Sequence, residues 1–518
     1  MKVQERTVYQ GQELTDVVAR VRETVHIVFT PDGGVGAVLG DPGGLDVLAT
    51  LPPLYPEWLG DRRFCEVHGT RFPYVAGEMA NGIATPQYVI AMAQAGMIGF
   101  YGAAGVPLPK VETVVQHLGS VLAGRPNWGV NLIHSPQDPA QEDRMADLLI
   151  AGRVPAVSVS AFMDLTPAVV RLAATGLRVS DSGQIVRARQ ILAKVSRPEV
   201  AALFMAPPPE AVVAELRARG RLTATEAALA LRIPVAPDIT VEADSGGHTD
   251  NRPLVSLLPR IIALRDRLDN LYDHGQEVRI GAAGGLGTPH AVAAAFAAGA
   301  AYVLTGTVNQ TCIEAGISAD AKALLARADI ADVIMAPAAD MFELGVTVQV
   351  LRRGVMFGPR AKQLYQAYRD YESLEAIPAQ ARWRLERSVL GATIEEIWSQ
   401  TRTYWLQRDP VQIARAQSDP KHRMALVFRW YLGQSSNWAI TGEVSRRADY
   451  QVWCGPAIGA FNQWVEASFL AEPANRTVVQ VALNLMEGAA VLTRAHQLRT
   501  FGVPVPAAAF RFVPRYLA

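Results

Sequence analysis

One short phrase recurs three times in this chain: Thr-Pro, an apolar run of helical length, then Gly. It spans Thr85 to Gly96, Thr166 to Gly176 and Thr288 to Gly299. Thr accepts a hydrogen bond from the first helical turn. Pro suits the first helical position, where its missing N–H costs nothing, and Gly ends the helix. Strands alternating with such helices predict a parallel sheet. The strands are predicted at Tyr74–Met79, Met97–Tyr101, Trp128–Ile133, Ala156–Ser160 and Ile191–Val195, then in runs that begin at Asp238, Val278 and Ala301. Further helices are predicted at Leu108–Leu122 and Met145–Ala151. Eight such units over roughly 250 residues suit a closed (β/α)₈ TIM barrel.

The seventh unit carries the strongest local signal. Val278-Arg-Ile-Gly-Ala-Ala-Gly-Gly-Leu-Gly-Thr-Pro-His290 is a strand, a loop with Gly284, Gly285 and Gly287, and a helix start. Glycines let the backbone approach a ligand closely, and the exposed N–H groups of a helix start favour an anion. The next strand ends in Gly306 and Thr307, and the preceding one in Ser245, Gly246, Gly247 and His248. In a barrel the three loops share one face, and phosphates are usually held after the last strands. An ordinary strand–turn–helix is the competing reading of any one loop.

The chain has 518 residues, half of them hydrophobic, enough for a large domain and a second unit. Basic and acidic residues balance at 49 each, which argues against a nucleic-acid or membrane-surface partner. Cys65, Cys312 and Cys454 are too few and too scattered for a disulfide framework or a zinc site, so no metal is expected. Met1-Lys-Val-Gln-Glu-Arg lacks the apolar run of a signal peptide, and Ala291–Leu304 is too short to span a bilayer. A cytoplasmic location is the expectation.

Three regions are predicted: a preamble over 1–60, a barrel over 61–357 with a hairpin insertion near 177–186, and a mostly helical region over 358–518. Val17–Val28 reads as helix or strand. Gly33-Gly-Val-Gly36 invites a nucleotide-loop reading, but no strand–helix unit surrounds it. The hairpin at Leu177–Val186 either lies over the barrel face or decorates a loop. Asp320–Arg327 is helix-prone. Leu364, Tyr368 and Tyr371, and again Leu390, Ile394 and Ile397, stand at i, i+4, i+7 and predict amphipathic helices whose aromatics pack a core.

Gly77-Glu-Met-Ala-Asn-Gly-Ile-Ala-Thr-Pro, Gly129-Val-Asn-Leu, Asp244-Ser-Gly-Gly-His, Ala283-Gly-Gly-Leu-Gly-Thr-Pro and Thr305-Gly-Thr resemble the barrel loops of nitronate monooxygenase-type flavin enzymes, which include a class of bacterial enoyl-carrier-protein reductases. Asp340-Met-Phe-Glu-Leu-Gly, Phe357-Gly-Pro-Arg-Ala, Asp419-Pro-Lys-His-Arg-Met and Asp449-Tyr-Gln-Val-Trp-Cys-Gly-Pro narrow the resemblance to the PfaD-type trans-acting enoyl reductases of polyunsaturated fatty acid and polyketide synthases. The resemblance implies FMN, NADPH as reductant and an acyl chain delivered on an acyl carrier protein, and leaves room for a homodimer. It places Met79, Ala80 and Asn81 beside the isoalloxazine, and Asn131 and Lys194 at the ring or ribityl region. Ser245, Gly246, Gly247, Gly284, Gly285, Gly306 and Thr307 would hold ribityl and phosphate, and His248 would be the catalytic residue facing substrate. Asp250 departs from the Gly that many relatives of the wider group carry after Gly-Gly-His-x.

Two positions stay open. A lysine at the end of strand five needs a partner when buried. The flavin N1–C2=O edge is one, and a salt bridge to Glu242 or Asp244 is the other. His248 is either a site residue or a structural hydrogen-bonder. A nitronate monooxygenase-like oxidase is the alternative activity.

Overall fold

The computed structural model describes residues 7–136, 138–248, 250–272 and 278–518. The N-terminal stretch Met1–Arg6, and the residue between His248 and Asp250, lie outside them. Among the described residues fifteen strands run in chain order. β1 (Val25–Phe29), β2 (Val35–Leu39) and β3 (Val47–Leu51) come first. β4 (Tyr74–Ala76), β5 (Ile98–Tyr101), β6 (Trp128–Ile133) and β7 (Ala156–Ser160) follow. β8 (Arg178–Val179) and β9 (Ile185–Val186) form a short hairpin. β10 (Gln190–Val195), β11 (Asp238–Glu242), β12 (Arg279–Ala283) and β13 (Val303–Thr305) precede the antiparallel pair β14 (Val333–Pro337) and β15 (Thr347–Leu351). A closed parallel barrel takes β4 to β7 and β10 to β13, in the order β10-β11-β12-β13-β4-β5-β6-β7.

The recurring phrase has a physical reason at both ends. Thr85, Thr166 and Thr288 each accept from the backbone N–H three residues on, and Pro follows each at the first helical position. Gly96, Gly176 and Gly299 take φ of +74°, +83° and +98°, which a β-carbon resists. The helices are Pro86–Gln94, Pro167–Ala174 and Pro289–Ala297.

Other expectations shift. Strand one stops at Ala76, because Gly77 and Glu78 already belong to the loop. The helix expected from Met145 begins at Pro139, where Asp138 caps the N–H of Gln141 at 2.9 Å. The ambiguous Val17–Val28 is both things in turn: a helix over Leu14–Ala19, then β1. Gly33 and Gly34 make the β1–β2 turn, so no nucleotide loop forms there. Leu390 does not share a helix with Ile394: Gly391, at φ +72°, separates a π-turn over Glu386–Leu390 from the helix Ile394–Arg408. The helices Pro198–Met205, Glu210–Ala218, Ala224–Ala230 and Leu254–Tyr272 add to the expected set.

The chain divides into two compact units. One holds residues up to Asp244, Asp250–Ala315 and Ala460–Ala518; the other holds Ser245–Thr249 and Gly316–Gly459. Residues 460–518 group with the barrel strands. Their long helix, Val478–Thr500, is buried along most of its length and packs on Pro289–Ala297, with Gly488 against Pro289. Its Glu487 takes a bidentate bond from Arg22 in the preamble, at 2.6 and 2.7 Å. The second unit packs β14, β15 and its helices on one apolar core, in which Phe342 meets the rings of Tyr365, Tyr368 and Phe428. Tyr365, Tyr368 and Tyr371 pack against this core, while Trp383 and Tyr404 are exposed.

Candidate active site

The C-terminal ends of the barrel strands carry a chain of polar side chains. Strands of a parallel barrel are buried and read as apolar runs, so polar residues within them stand out. Lys194, near the end of β10, lies 3.1 Å from Glu242 Oε1 at the end of β11 and 3.2 Å from Glu78 Oε1 in the loop after β4. Burial works against the ammonium charge, but the two carboxylates outweigh it and raise the Lys194 pKa above its ordinary value. Ser158 of β7 donates to Glu78 Oε1 at 3.0 Å. Asn131 of β6 donates to Ser160 Oγ at 3.0 Å. The other Glu78 oxygen, Oε2, is buried with no hydrogen-bond partner among the described residues, although the side chain is only 5% exposed. A buried carboxylate oxygen without a donor is costly.

Lys194 thus has the salt bridge that is the second of its two readings. Glu242 is one of the two carboxylates that reading names, and Glu78 is a further partner from across the barrel.

The loop after β4 is shaped for close approach. Asn81 sits at φ +58°, a conformation that Asn tolerates better than most residues, and its N–H reaches Ala104 O at 2.7 Å. Met79 is buried, and the backbone at Gly102 comes so near its carbonyl that a β-carbon there would overlap it. Behind this loop Asn309 donates to the Tyr88 hydroxyl at 2.9 Å and to Thr305 O at 3.1 Å, while Tyr88 donates to Gly77 O at 3.1 Å. One buried amide therefore ties the loop after β4 to the end of β13.

On β12 and β13 the glycines differ in purpose. Gly284, at φ +86°, packs against the Ala243 backbone, where a β-carbon would come within 2.8 Å. Gly285 and Gly306 face open space: a β-carbon at either would meet nothing within 4 Å. Thr288 and Pro289 start the adjacent helix, and a short 3₁₀ helix begins at Thr307. Neither position carries a side chain that would block a close approach to the backbone.

Ser245, Gly246, Gly247 and His248 belong to the second unit. Gly246 packs against the Cys454 backbone, where a β-carbon would come within 2.8 Å of Cα, and Gly455 packs against Ser245. Gly247 bridges to Gln349 in β15. His248 Nε2 lies 3.1 Å from Asp340 Oδ1. Burial raises the Asp340 pKa, but the His248 hydrogen bond and charge overcome this and leave it lowered. The Asp340 and Cys454 motifs are thus the packing partners of the Ser-Gly-Gly-His segment. Asp250 also has a role: its carboxylate takes a bidentate bond from Arg197, at 2.6 and 3.0 Å, joining the loops after β10 and β11.

Of the expected residues, Met79, Ala80, Asn81, Asn131, Lys194, Gly284, Gly285, Gly306 and Thr307 lie in the barrel unit, at the C-terminal ends of its strands or in the loops that follow them. Glu78, Ser158 and Asn309 join them without having been expected. The signal for Glu78 and Ser158 is a charged or polar residue at or just past a buried strand; Asn309 gives none.

The nitronate monooxygenase family matches residues 62–357. The inserted helical domain of acyl-carrier-protein S-malonyltransferase matches residues 371–450. One polyunsaturated fatty acid synthase component, from Thraustochytrium sp., is 45% identical over 448 residues, 85% of this chain and 30% of that protein. Polyketide biosynthesis protein PksE of Bacillus subtilis is 41% identical over 485 residues, 93% of this chain and 62% of that one. The chain therefore spans less than two thirds of either relative. The crystal structure of the enoyl reductase domain of MlnA, from the macrolactin biosynthesis cluster of Bacillus amyloliquefaciens, superposes with a TM-score of 0.82 at 35% identity, covering 86% of this chain and 99% of that one. With the closed barrel, its glycine loops and these relatives in agreement, the chain belongs to the PfaD-type enoyl reductase family, within the nitronate monooxygenase group.

Proposed function

We propose that this chain is an FMN-dependent, trans-acting enoyl reductase. It uses NADPH to reduce the 2,3-double bond of enoyl thioesters carried on an acyl carrier protein, in polyketide or polyunsaturated fatty acid biosynthesis. The observation that carries this reading is the pair of glycine loops on neighbouring strands β12 and β13, open where a side chain would stand. The relatives support it, since they are a fatty acid synthase component, a polyketide biosynthesis protein and an enoyl reductase domain.

The residues fit the cofactor. Backbone N–H groups at Gly285, Gly306 and Thr307 suit its phosphate. Met79, Ala80 and Asn81 suit one face of its ring. Lys194 and the unpartnered Glu78 oxygen offer a donor and an acceptor to the ring's polar edge. Bound there, the flavin would carry two electrons from nicotinamide to acyl thioester. No dinucleotide fingerprint accompanies the barrel, so the nicotinamide visits transiently.

His248 serves the thioester. Hydride arrival at the β-carbon pushes charge onto the thioester oxygen, and an imidazole beside it stabilises that charge or supplies a proton. Asp340 would hold the ring in orientation. His248→Ala should leave reduction of the flavin by NADPH intact and slow its reoxidation by enoyl thioester, by about 10²–10⁴-fold if the ring is the acid. Equal slowing of both phases in stopped-flow would instead indicate a damaged flavin pocket.

The deciding experiment incubates the yellow protein with NADPH and an enoyl-carrier protein, then weighs the product. A product heavier by one pair of hydrogens supports the reading. Turnover of a nitronate, with none of the enoyl thioester, would favour the second reading that the family match allows: a nitronate monooxygenase-like oxidoreductase.

A further inference from the structure

A histidine that the reading above leaves unused stands at the C-terminal end of the barrel. His134 follows directly on β6. Its backbone N–H donates to Ser160 O at 3.0 Å, and Ser160 Oγ accepts from Asn131. The residue that anchors His134 is thus shared with the polar chain of the site. Ring atom Nδ1 lies 3.0 Å from Glu142 Oε2. Glu142 lies in the first turn of the helix Pro139–Ala151, and its side chain is 4% exposed. The Ser135 N–H meets the same oxygen at 3.1 Å, and the Thr166 hydroxyl meets Oε1. The imidazole leans on Phe162, with ring centroids 4.8 Å apart. Among the described residues Nε2 has no hydrogen-bond partner, and the side chain is 20% exposed.

A buried carboxylate held on both oxygens is a fixed acceptor. It draws the proton of the neutral ring to Nδ1 and leaves Nε2 as the working atom. A catalytic histidine oriented by a carboxylate has this form. The competing role is that of a loop fastener, but fastening needs only an N–H toward Glu142, which an asparagine also supplies. Lys194 is a poorer acid on this face, because two carboxylates hold its proton.

We propose that His134, oriented by Glu142, is a further catalytic residue that donates a proton from Nε2 to the α-carbon of the enoyl thioester. This rests on the enoyl reductase reading. A reduced flavin, if bound, would supply the hydride for the new C–H bond at the β-carbon and would itself be oxidised. The π pair of the double bond moves to the α-carbon, which forms a C–H bond with the Nε2 proton. Nε2 gives up the proton and regains one from solvent, to which the ring is partly open. His248 is then left to the thioester oxygen.

The test uses the whole chain loaded with FMN. His134→Asn keeps an N–H toward Glu142 and removes Nε2. Flavin affinity and NADPH reduction should stay at wild-type values, while reoxidation by enoyl thioester slows about 10²–10⁴-fold. In deuterated solvent the wild type should label one face of the α-carbon, and the variant should label both. Glu142→Gln guards against a folding defect in His134→Asn: it should slow the same phase and spare NADPH reduction. Normal reoxidation and single-face labelling in both variants would overturn the proposal. A wild type that NADPH reduces but enoyl thioester never reoxidises would instead overturn the enoyl reductase reading itself.

Discussion

The barrel buries a charged cluster at each end, and the two are built to different rules. At the N-terminal end Asp238, the first residue of β11, takes a bidentate bond from Arg279 at 2.7 and 2.8 Å and a third bond from His68 at 3.0 Å. The Asp238 and His68 side chains are 0% exposed. Both carboxylate oxygens are paired. At the C-terminal end one cation, Lys194, stands between two carboxylates, and Glu78 Oε2 has no donor among the described residues. In the first cluster both carboxylate oxygens are satisfied, and the buried atom left without a partner among the described residues is His68 Nδ1 on the cationic side. In the second it is a carboxylate oxygen that lacks a donor, which the proposed flavin would supply.

The largest difference should appear on breaking each cluster. Asp238→Ala leaves Arg279 buried and uncompensated, a loss of about 3–5 kcal/mol for a broken buried pair. Lys194→Met, in protein stripped of flavin, should cost clearly less, because Glu242 is 20% exposed and already borders solvent. Urea melts of both variants measure this. Equal losses would make the upper cluster as structural as the lower one.

The glycine cradle gives the next effect. Gly285→Asp sets a carboxylate in the open space before the loop, at φ +73°. Two like charges about 4 Å apart at an effective dielectric of 20 repel by about 4 kcal/mol, on the order of 10³-fold in affinity. The variant should fold and be colourless, and a flavin fluorescence titration reads the loss. Normal occupancy would remove the cradle from the phosphate site.

The barrel itself is legible in the sequence because each signal is local. The Thr-Pro start and the left-handed Gly stop lie within one helix, and the buried strands read as apolar runs. The Lys194 alternatives name one carboxylate correctly, since Glu242 lies on the adjoining strand. The pairing of Glu78 with Lys194 is hidden because Glu78 follows β4, far away in sequence and near only once the barrel closes. His248 and Asp340 are 92 positions apart, a pairing no periodicity reports. The helix Val478–Thr500 reads with the C-terminal region, yet it is apolar around much of its circumference, and such helices are buried ones. The split at Gly391 escapes the pattern because the i, i+4, i+7 spacing runs straight across a residue that breaks it.

The two ends should also fail at opposite pH. Burial raises the Asp238 pKa, but Arg279 and His68 overcome this and leave it well below its ordinary 3.8. Its contribution is therefore full above that value and lost as pH falls through the lower folded one. Lys194 is raised above its ordinary 10.5. Its contribution is full below that value and lost as pH rises through the folded one. Each group contributes a slope of at most about 1.4 kcal/mol per pH unit. Asp238→Asn should flatten the acid flank of the stability curve and Lys194→Met the alkaline flank. A variant that flattens the other flank would break the assignment.

The smallest effect tests how finely the upper cluster is tuned. Ser158 donates to Glu78 Oε1, the oxygen that also faces Lys194. Ser158→Ala removes one hydrogen bond to a charged acceptor, worth about 1.5–3 kcal/mol where the acceptor is left wholly unsatisfied. Lys194 still serves this oxygen, so the stability loss should fall at or below the lower end of that range. Flavin affinity is the more sensitive reading, because Glu78 is freer to turn its unpartnered oxygen away from the ligand. A modest rise in dissociation constant, with a melt close to wild type, is the expected pair of results. A stability loss as large as that of Asp238→Ala, with flavin affinity unchanged, would show that the C-terminal cluster is a strut like its counterpart and not an unfinished binding edge.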